Sequence, residues 1–169
     1  MSSPASIAKH PIHPMLIAFP IGLWVFALIC DVVHLVTGAE VWSTVALYSV
    51  AGGIVGAILA AIPGLIDYFS IDEVEMKKIG TYHLLLNVTA LLVFGLNFWL
   101  RFRVDANSRL PVVLSLAGIG LIGVGGWLGG EMVYVKGMAV DPVEQLDKKV
   151  KQLERGTTSH SRPSPRKAS

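Results

Sequence analysis

The sequence predicts an all-α integral membrane protein: an up-down bundle of four helices, followed by a short amphipathic C-terminal helix and a disordered tail. Of the 169 residues, 53% are hydrophobic and only 15% are charged, and the mean hydropathy is +0.60. The apolar residues lie in four stretches, each long enough to cross about 30 Å of hydrocarbon at about 1.5 Å per residue. No segment has the alternating polarity that a membrane β-barrel requires.

The four stretches predict helices over 14–36, 42–69, 79–100 and 110–135, within one domain that covers 1–140. The first stretch is too long for the apolar core of a signal peptide, so we expect it to be retained. Short connections make consecutive helices antiparallel neighbours. An even number of crossings puts both termini at one end of the bundle, which we call the near end. The opposite end is the far end.

The basic residues predict how the bundle is oriented. All 14 lysines and arginines fall at the near end except Arg101, Arg103 and Arg109. The positive-inside rule therefore predicts that both termini lie in the cytoplasm, with the lipid bilayer around the helices. The basic residues form no continuous face, which argues against nucleic acid as a partner.

The segment after the fourth helix predicts one further element. Asp141 and Pro142 form a helix start signal, and apolar residues then recur at helical spacing over 141–155. This amphipathic cytoplasmic helix is expected to lie on lipid headgroups, with a coiled-coil contact as the alternative. Residues 156–169 are rich in Ser, Thr, Pro and basic residues, which predicts a disordered tail.

Alternating helix direction gathers polar residues from all four helices at the near end. We expect these residues to lie in one membrane layer: His10, His13, Asp67, His83, Asn87, Trp127, Glu131 and Tyr134. Asp67 and Glu131 come close to helix C-termini, where the helix dipole disfavours an acid. A metal ion, Lys77, Lys136, a protonated histidine or a shared proton is expected to compensate. For His83, a role as ligand or proton relay and a role as neutral hydrogen-bonding group, to Asp67 or Asn87, both remain open.

A smaller polar cluster is predicted at the far end. Asp31 and His34 lie near the end of the first helix, and Asn97 and Arg101 lie at the end of the third. Because an unpaired charge in the membrane is costly, we expect a structural ion pair between Asp31 and Arg101.

The two halves of the chain also show a weak similarity. Gly64-Leu-Ile-Asp-Tyr and Gly130-Glu-Met-Val-Tyr each place an acid and a tyrosine near a glycine at the same end. A pseudo-two-fold axis along the membrane normal would then bring two histidines and two acids together. A duplicated hairpin and a chance similarity both remain open.

Four segments resemble a known family. They are His10-Pro-Ile-His-Pro-Met-Leu-Ile-Ala-Phe-Pro-Ile-Gly-Leu, Gly64-Leu-Ile-Asp-Tyr, His83 to Asn87, and Gly126-Trp-Leu-Gly-Gly-Glu-Met-Val-Tyr. They are similar to the uncharacterised bacterial membrane-protein family called domain of unknown function 2231, over roughly residues 9–140. The resemblance implies a four-helix membrane domain. Since some members are fused to Rieske iron-sulfur or cytochrome c-like modules, it also implies a redox setting. This chain carries neither module, and it has Ala18 and Lys136 where many relatives have histidine.

Three functions remain open. The first is a redox subunit that binds haem b through His13 and His83, flanked by Trp127 and Tyr134, and exchanges electrons with quinone or a partner protein. The second is an Fe, Zn, Mn or proton site built from His13, Asp67, His83 and Glu131, with His10 and Asn87 in support. The third is a structural subunit without a ligand. No nucleophile elbow, phosphate loop or dinucleotide fingerprint occurs, so the sequence favours a protein that is not an enzyme.

Overall fold

The computed structural model describes residues 3–8, 10–104, 108–138, 146 and 149–152. Its main elements are helices α1 (Ile12–Thr37), α2 (Glu40–Phe69), α3 (Val74–Leu100) and α4 (Leu110–Gly130), with a π-helical turn over Glu131–Val135. Four helices, the last counted through Val135, are long and apolar enough to cross a membrane. The predicted four-helix bundle is confirmed. Of the expected amphipathic helix, only residues 146 and 149–152 belong to the described part of the chain, and the expected tail lies outside it.

Helix α3 starts five residues earlier than the apolar stretch predicts. Met76 in its first turn is buried against Ile71 and Met132, so a small core at the near end extends the helix past the apolar stretch. Helix α4 changes at Glu131 to the wider π spacing, and the Lys136 N–H donates to the Glu131 carbonyl at 3.0 Å. Both departures from the predicted helices thus lie at the near end, where Met132 of the π-helical turn packs against Met76.

A short hairpin, which the sequence did not predict, precedes α1. Its strands β1 (Ser6–Ile7) and β2 (His10–Pro11) pair antiparallel. The Ile12 N–H donates to the carbonyl of the buried Ala5 at 3.0 Å. This bond ties the N-terminal segment to the start of α1.

The four helices pack as a square, because consecutive helices contact each other and α1 also contacts α4. Helices α1 and α3 are therefore diagonal and run in the same direction. The core between them includes Trp24 of α1 and Phe94 of α3, both buried. The Trp24 ring lies directly over Gly53 of α2, and the Phe94 ring lies over Gly118 of α4. Small residues thus let large rings reach the bundle axis.

The two hairpins α1–α2 and α3–α4 are related by a pseudo-two-fold axis parallel to the helices. Residues 70 positions apart face each other across the diagonal: His13 and His83, Trp24 and Phe94, Asp31 and Arg101. Residues 65 positions apart play matching roles in α2 and α4: Gly53 and Gly118, Ala60 and Gly125, Gly64 and Gly129. These equivalences favour a duplicated hairpin over chance. The expected equivalence of Asp67 and Glu131 is wrong, since the same spacing pairs Asp67 with Met132.

The outer surface of the bundle is apolar. Large hydrophobic side chains such as Phe19, Leu92 and Val113 are more than half exposed. A soluble protein rarely exposes apolar surface this continuously, whereas hydrocarbon solvates it well. The exterior therefore matches a lipid environment.

Candidate functional site

His13 and His83 meet at the near end. Their ring centroids are 6.1 Å apart, and the ring planes are at 87°. His13 lies in the first turn of α1 and His83 in the third turn of α3, so the two rings meet across the diagonal of the bundle. The sequence predicted that these two histidines share a membrane layer, and here they are direct neighbours.

Each imidazole is held by a backbone carbonyl of the following helix. His13 Nδ1 lies 2.8 Å from the Ala60 carbonyl oxygen, and His83 Nδ1 lies 2.8 Å from that of Gly125. A carbonyl can only accept, so Nδ1 carries the proton in both rings. In the neutral imidazole, Nε2 then keeps its lone pair. The two histidines therefore present the nitrogen that metal ions bind.

A glycine one turn beyond each carbonyl makes room for the ring. A Cβ atom at Gly64 would lie 2.8 Å from His13 Nδ1, and one at Gly129 would lie 3.1 Å from His83 Cε1. Both distances are shorter than ordinary van der Waals contact, so any larger residue would push the imidazole away from its carbonyl. The position of each histidine thus depends on a glycine in the neighbouring helix.

Asn87 supports His83 from the next turn of α3. Its Nδ2 donates to the His83 carbonyl at 2.7 Å and lies 3.3 Å from His83 Nε2. The second contact is long for a hydrogen bond, so it holds the Nε2 lone pair only weakly. Asn87 is therefore in the supporting position that the sequence predicted.

Asp67 is stabilised differently from the prediction. The Ser3 hydroxyl donates to Asp67 Oδ1 at 2.7 Å, and the Ala5 N–H donates to the same oxygen at 3.2 Å. Neither expected lysine serves this role, because Lys77 Nζ donates to the Tyr68 carbonyl at 2.6 Å and Lys136 Nζ lies 3.6 Å from Glu75 Oε2. Uncharged donors of the N-terminal segment thus offset the unfavourable position of this acid at the end of α2.

The family model described as "Predicted membrane protein (DUF2231)" matches residues 9–142. The chain belongs to this family. The match includes all four helices and both facing histidines of the DUF2231 domain. Searches of curated proteins and of solved structures found no match.

The four predicted metal ligands of the DUF2231 domain do not converge on one point. Within the described part of the chain, no group of three or more His, Cys, Asp or Glu side chains is arranged to hold a metal ion. Asp67 is engaged by the N-terminal segment, and Glu131 is partly exposed at the start of the π-helical turn. Haem and metal binding stay predictions, and the histidine pair is the part of the set that the structure brings together.

The prediction that Trp127 and Tyr134 flank the histidine pair is wrong. The side chains of Trp127 and Tyr134 are 76% and 89% exposed on the outside of the DUF2231 domain. Trp127 follows Gly125 by two residues, which is about 200° around a helix, so it points away from the histidine pair. His10 is also exposed, and its Nδ1 lies 2.9 Å from the Ala8 carbonyl oxygen within the N-terminal hairpin.

At the far end the expected ion pair is formed. Arg101 donates from both terminal nitrogens to the two oxygens of Asp31, at 2.8 and 2.6 Å, and both side chains are 7% exposed. Arg101 Nε also donates to Asn97 Oδ1 at 3.0 Å. Asn97 Nδ2 in turn donates to the Pro111 carbonyl and to Ser115 Oγ. This network joins α1, α3 and α4 of the DUF2231 domain.

Sequence reasoning missed the residues that hold the two imidazoles, because they act through a carbonyl or through the lack of a side chain. A signal was nevertheless present. The spacing Gly53-x6-Ala60-x3-Gly64 recurs as Gly118-x6-Gly125-x3-Gly129. Aligning the hairpins on this repeat would have located both carbonyls and both glycines.

Proposed function

We propose that this DUF2231 protein is a membrane redox subunit in which His13 and His83 bind one haem b iron. The observation that carries the proposal is the ring separation of 6.1 Å, with both Nδ1 atoms bound to carbonyls. At this separation both imidazoles could hold one metal ion between them, since a metal–nitrogen bond is about 2.0 Å long. Histidine is a common axial ligand of haem iron.

The surroundings of the two rings fit a ligand role. A metal-binding histidine usually donates its second ring N–H to a carbonyl or carboxylate, which fixes its tautomer and orientation. The Ala60 and Gly125 carbonyls supply this bond for His13 and His83. When bound, haem iron would supply one-electron transfer, and the chain's own residues would position the iron and set its surroundings.

The number of protein ligands favours haem over a bare metal ion. A transition-metal ion such as Fe, Zn or Mn generally needs three or four protein ligands. Among the residues whose placement is described, only the two imidazoles converge, without a third metal-binding side chain. Haem needs no more than two, because the porphyrin supplies the other four.

We also propose the location and the kind of partner. The near end carries most of the basic residues, which supports a bacterial inner membrane location with both termini in the cytoplasm. The histidine pair lies at this same end. A quinone in the bilayer or a redox protein at the cytoplasmic face is therefore the proposed electron partner.

The decisive experiment is a haem titration. Purified protein in mild detergent is titrated with haemin while the Soret band is recorded, and the reduced-minus-oxidised spectrum is measured afterwards. We expect one haem per chain with the spectrum of a low-spin iron that has two histidine ligands. His13→Ala and His83→Ala should each remove this spectrum, whereas His34→Ala at the far end should retain it.

The same preparation separates the alternatives. If the protein is colourless and binds no haemin, but elemental analysis finds a metal ion, the histidine pair holds a bare ion and not haem. A protein that binds neither, and that is only less stable after His83→Ala, would overturn the proposal in favour of a structural role for the pair.

A further inference from the structure

The far end of the bundle contains a polar cavity. It has a volume of about 30 Å³ and is partly open to the outside. Its lining includes Asp31 and His34 of α1, Ser43 of α2, Arg101 after α3, and Ser108 before α4. All four helices or their ends contribute to it, and it lies at the opposite end of the bundle from the histidine pair.

His34 has an unfilled hydrogen-bonding position beside this cavity. The side chain is 4% exposed, and its Nδ1 lies 3.0 Å from the Ala39 carbonyl oxygen, so Nδ1 carries the proton. His34 Nε2 is buried and has no partner among the described residues. A buried acceptor without a donor costs free energy. A molecule in the cavity that donates to Nε2 would remove that cost.

Arg101 offers the complementary groups. Its guanidinium has five N–H donors, and three are used by Asp31 and Asn97. Among the described residues, no acceptor takes the remaining two, so they can donate to an oxygen acceptor in the cavity. A molecule that suits both His34 and Arg101 therefore carries an O–H donor next to an oxygen acceptor.

The charge balance restricts the occupant further. Of the lining residues that the structure describes, Asp31, His34 and Arg101 are the charged or titratable ones. Asp31 already neutralises Arg101, so a lone ion entering the cavity would add an uncompensated charge beside largely buried side chains. The occupant must be neutral overall. An anion qualifies only if a proton enters with it.

We propose that the far-end cavity binds a small carboxylic acid in its undissociated form, with water as the resting occupant. The acid O–H donates to His34 Nε2, and the acid carbonyl accepts from Arg101. A cavity of about 30 Å³ holds about two water molecules, or an acid of about the size of acetic acid. The binding site is independent of the histidine pair at the near end.

The test uses the full-length protein in lipid nanodiscs with isotope-labelled histidine, titrated with acetate and followed by NMR of the ring nitrogens. We expect saturable shifts of the His34 signals and none of His13 and His83. The apparent affinity should weaken about tenfold for each pH unit above the pKa of acetic acid, because the undissociated fraction falls by that factor.

Two variants and a control complete the test. His34→Phe keeps an aromatic ring, although a larger one, and removes Nε2, and we expect it to abolish acetate binding. Ser43→Ala should weaken binding. Thr44→Ala should not, because Thr44 is exposed and its hydroxyl donates to the Glu40 carbonyl of its own helix.

The titration of the wild-type protein with acetate tests the proposed binding site even if His34→Phe fails to fold. Absence of saturable His34 shifts at pH 5 would overturn the proposal. So would equal shifts at His13 and His83, or an affinity for acetate that does not change between pH 5 and pH 7.

Discussion

Trp24 and Phe94 stack face to face at the centre of the bundle, with ring centroids 4.1 Å apart and ring planes at 5°. They come from diagonal helices, and 70 sequence positions separate them, as in the histidine pair and the ion pair. The diagonal is thus bridged at three depths by three different contacts. The histidine pair and the ring stack both depend on close approach by glycines of α2 and α4.

The aromatic contact should be sensitive to glycine replacement. A Cβ atom at Gly118 would lie 2.5 Å from Phe94 Cε2, so Gly118→Ala should lower the free energy of unfolding by about 1–3 kcal/mol through overpacking. Gly123→Ala in the same helix meets no atom within 4 Å and should be neutral or stabilising. Unfolding in mixed micelles measures both. Equal stability of the two variants would contradict the tight ring contact.

The ion pair should behave as a coupled unit. Asp31→Asn leaves Arg101 buried without its counter-charge, and we expect a loss of about 3–5 kcal/mol in the free energy of unfolding. The double variant that also carries Arg101→Gln should be less destabilised than the sum of the single variants. Strict additivity in this cycle would show that the two side chains do not depend on each other.

The glycine beside His13 should control ligand affinity without being a ligand. Gly64→Ala would push the imidazole away from the Ala60 carbonyl. Loss of such a supporting bond typically weakens metal binding about 10–100-fold, and we expect a similar loss of haem affinity. Gly95→Ala has open space around it and serves as the control. Unchanged haemin binding by Gly64→Ala would speak against the ligand role of His13.

The protection of the N-terminal segment from hydrogen exchange should depend on Asp67. Asp67→Ala removes the acceptor for Ser3 and Ala5, so the Ala5 amide should exchange with solvent faster. Asp72→Ala, at an exposed acid just beyond α2, should leave that rate unchanged. Hydrogen exchange followed by mass spectrometry compares the two. If the Ala5 amide exchanges equally slowly in Asp67→Ala, the N-terminal hairpin is stable without its bonds to Asp67.

Cysteine labelling can measure which end of the bundle faces the cytoplasm. In a Cys30→Ala background, Ser6→Cys at the near end and Leu110→Cys at the far end place single thiols at exposed positions. A membrane-impermeable maleimide added to intact spheroplasts should label Leu110→Cys but not Ser6→Cys. The reverse result would place the termini outside the cytoplasm.

Hydropathy alone located the four helices, because long apolar runs have few other stable structures in a membrane. Alternating helix direction also brought His13 and His83 to one depth. It did not give rotation about each helix axis, so Trp127 was expected inside the bundle and lies outside it. Nor did it reveal that Ser3 and Ala5 donate to Asp67, because a hairpin of two-residue strands leaves almost no pattern in the sequence.

The ion pair also determines which hairpins can associate. Asp31 belongs to the first hairpin and Arg101 occupies the equivalent place in the second. Two copies of the first hairpin would bring two carboxylates together on the diagonal, and two copies of the second would bring two guanidinium groups together. Like charges buried at such a contact repel strongly. The pair thus selects the unlike combination, which disfavours any assembly in which two first hairpins or two second hairpins from different molecules share one bundle.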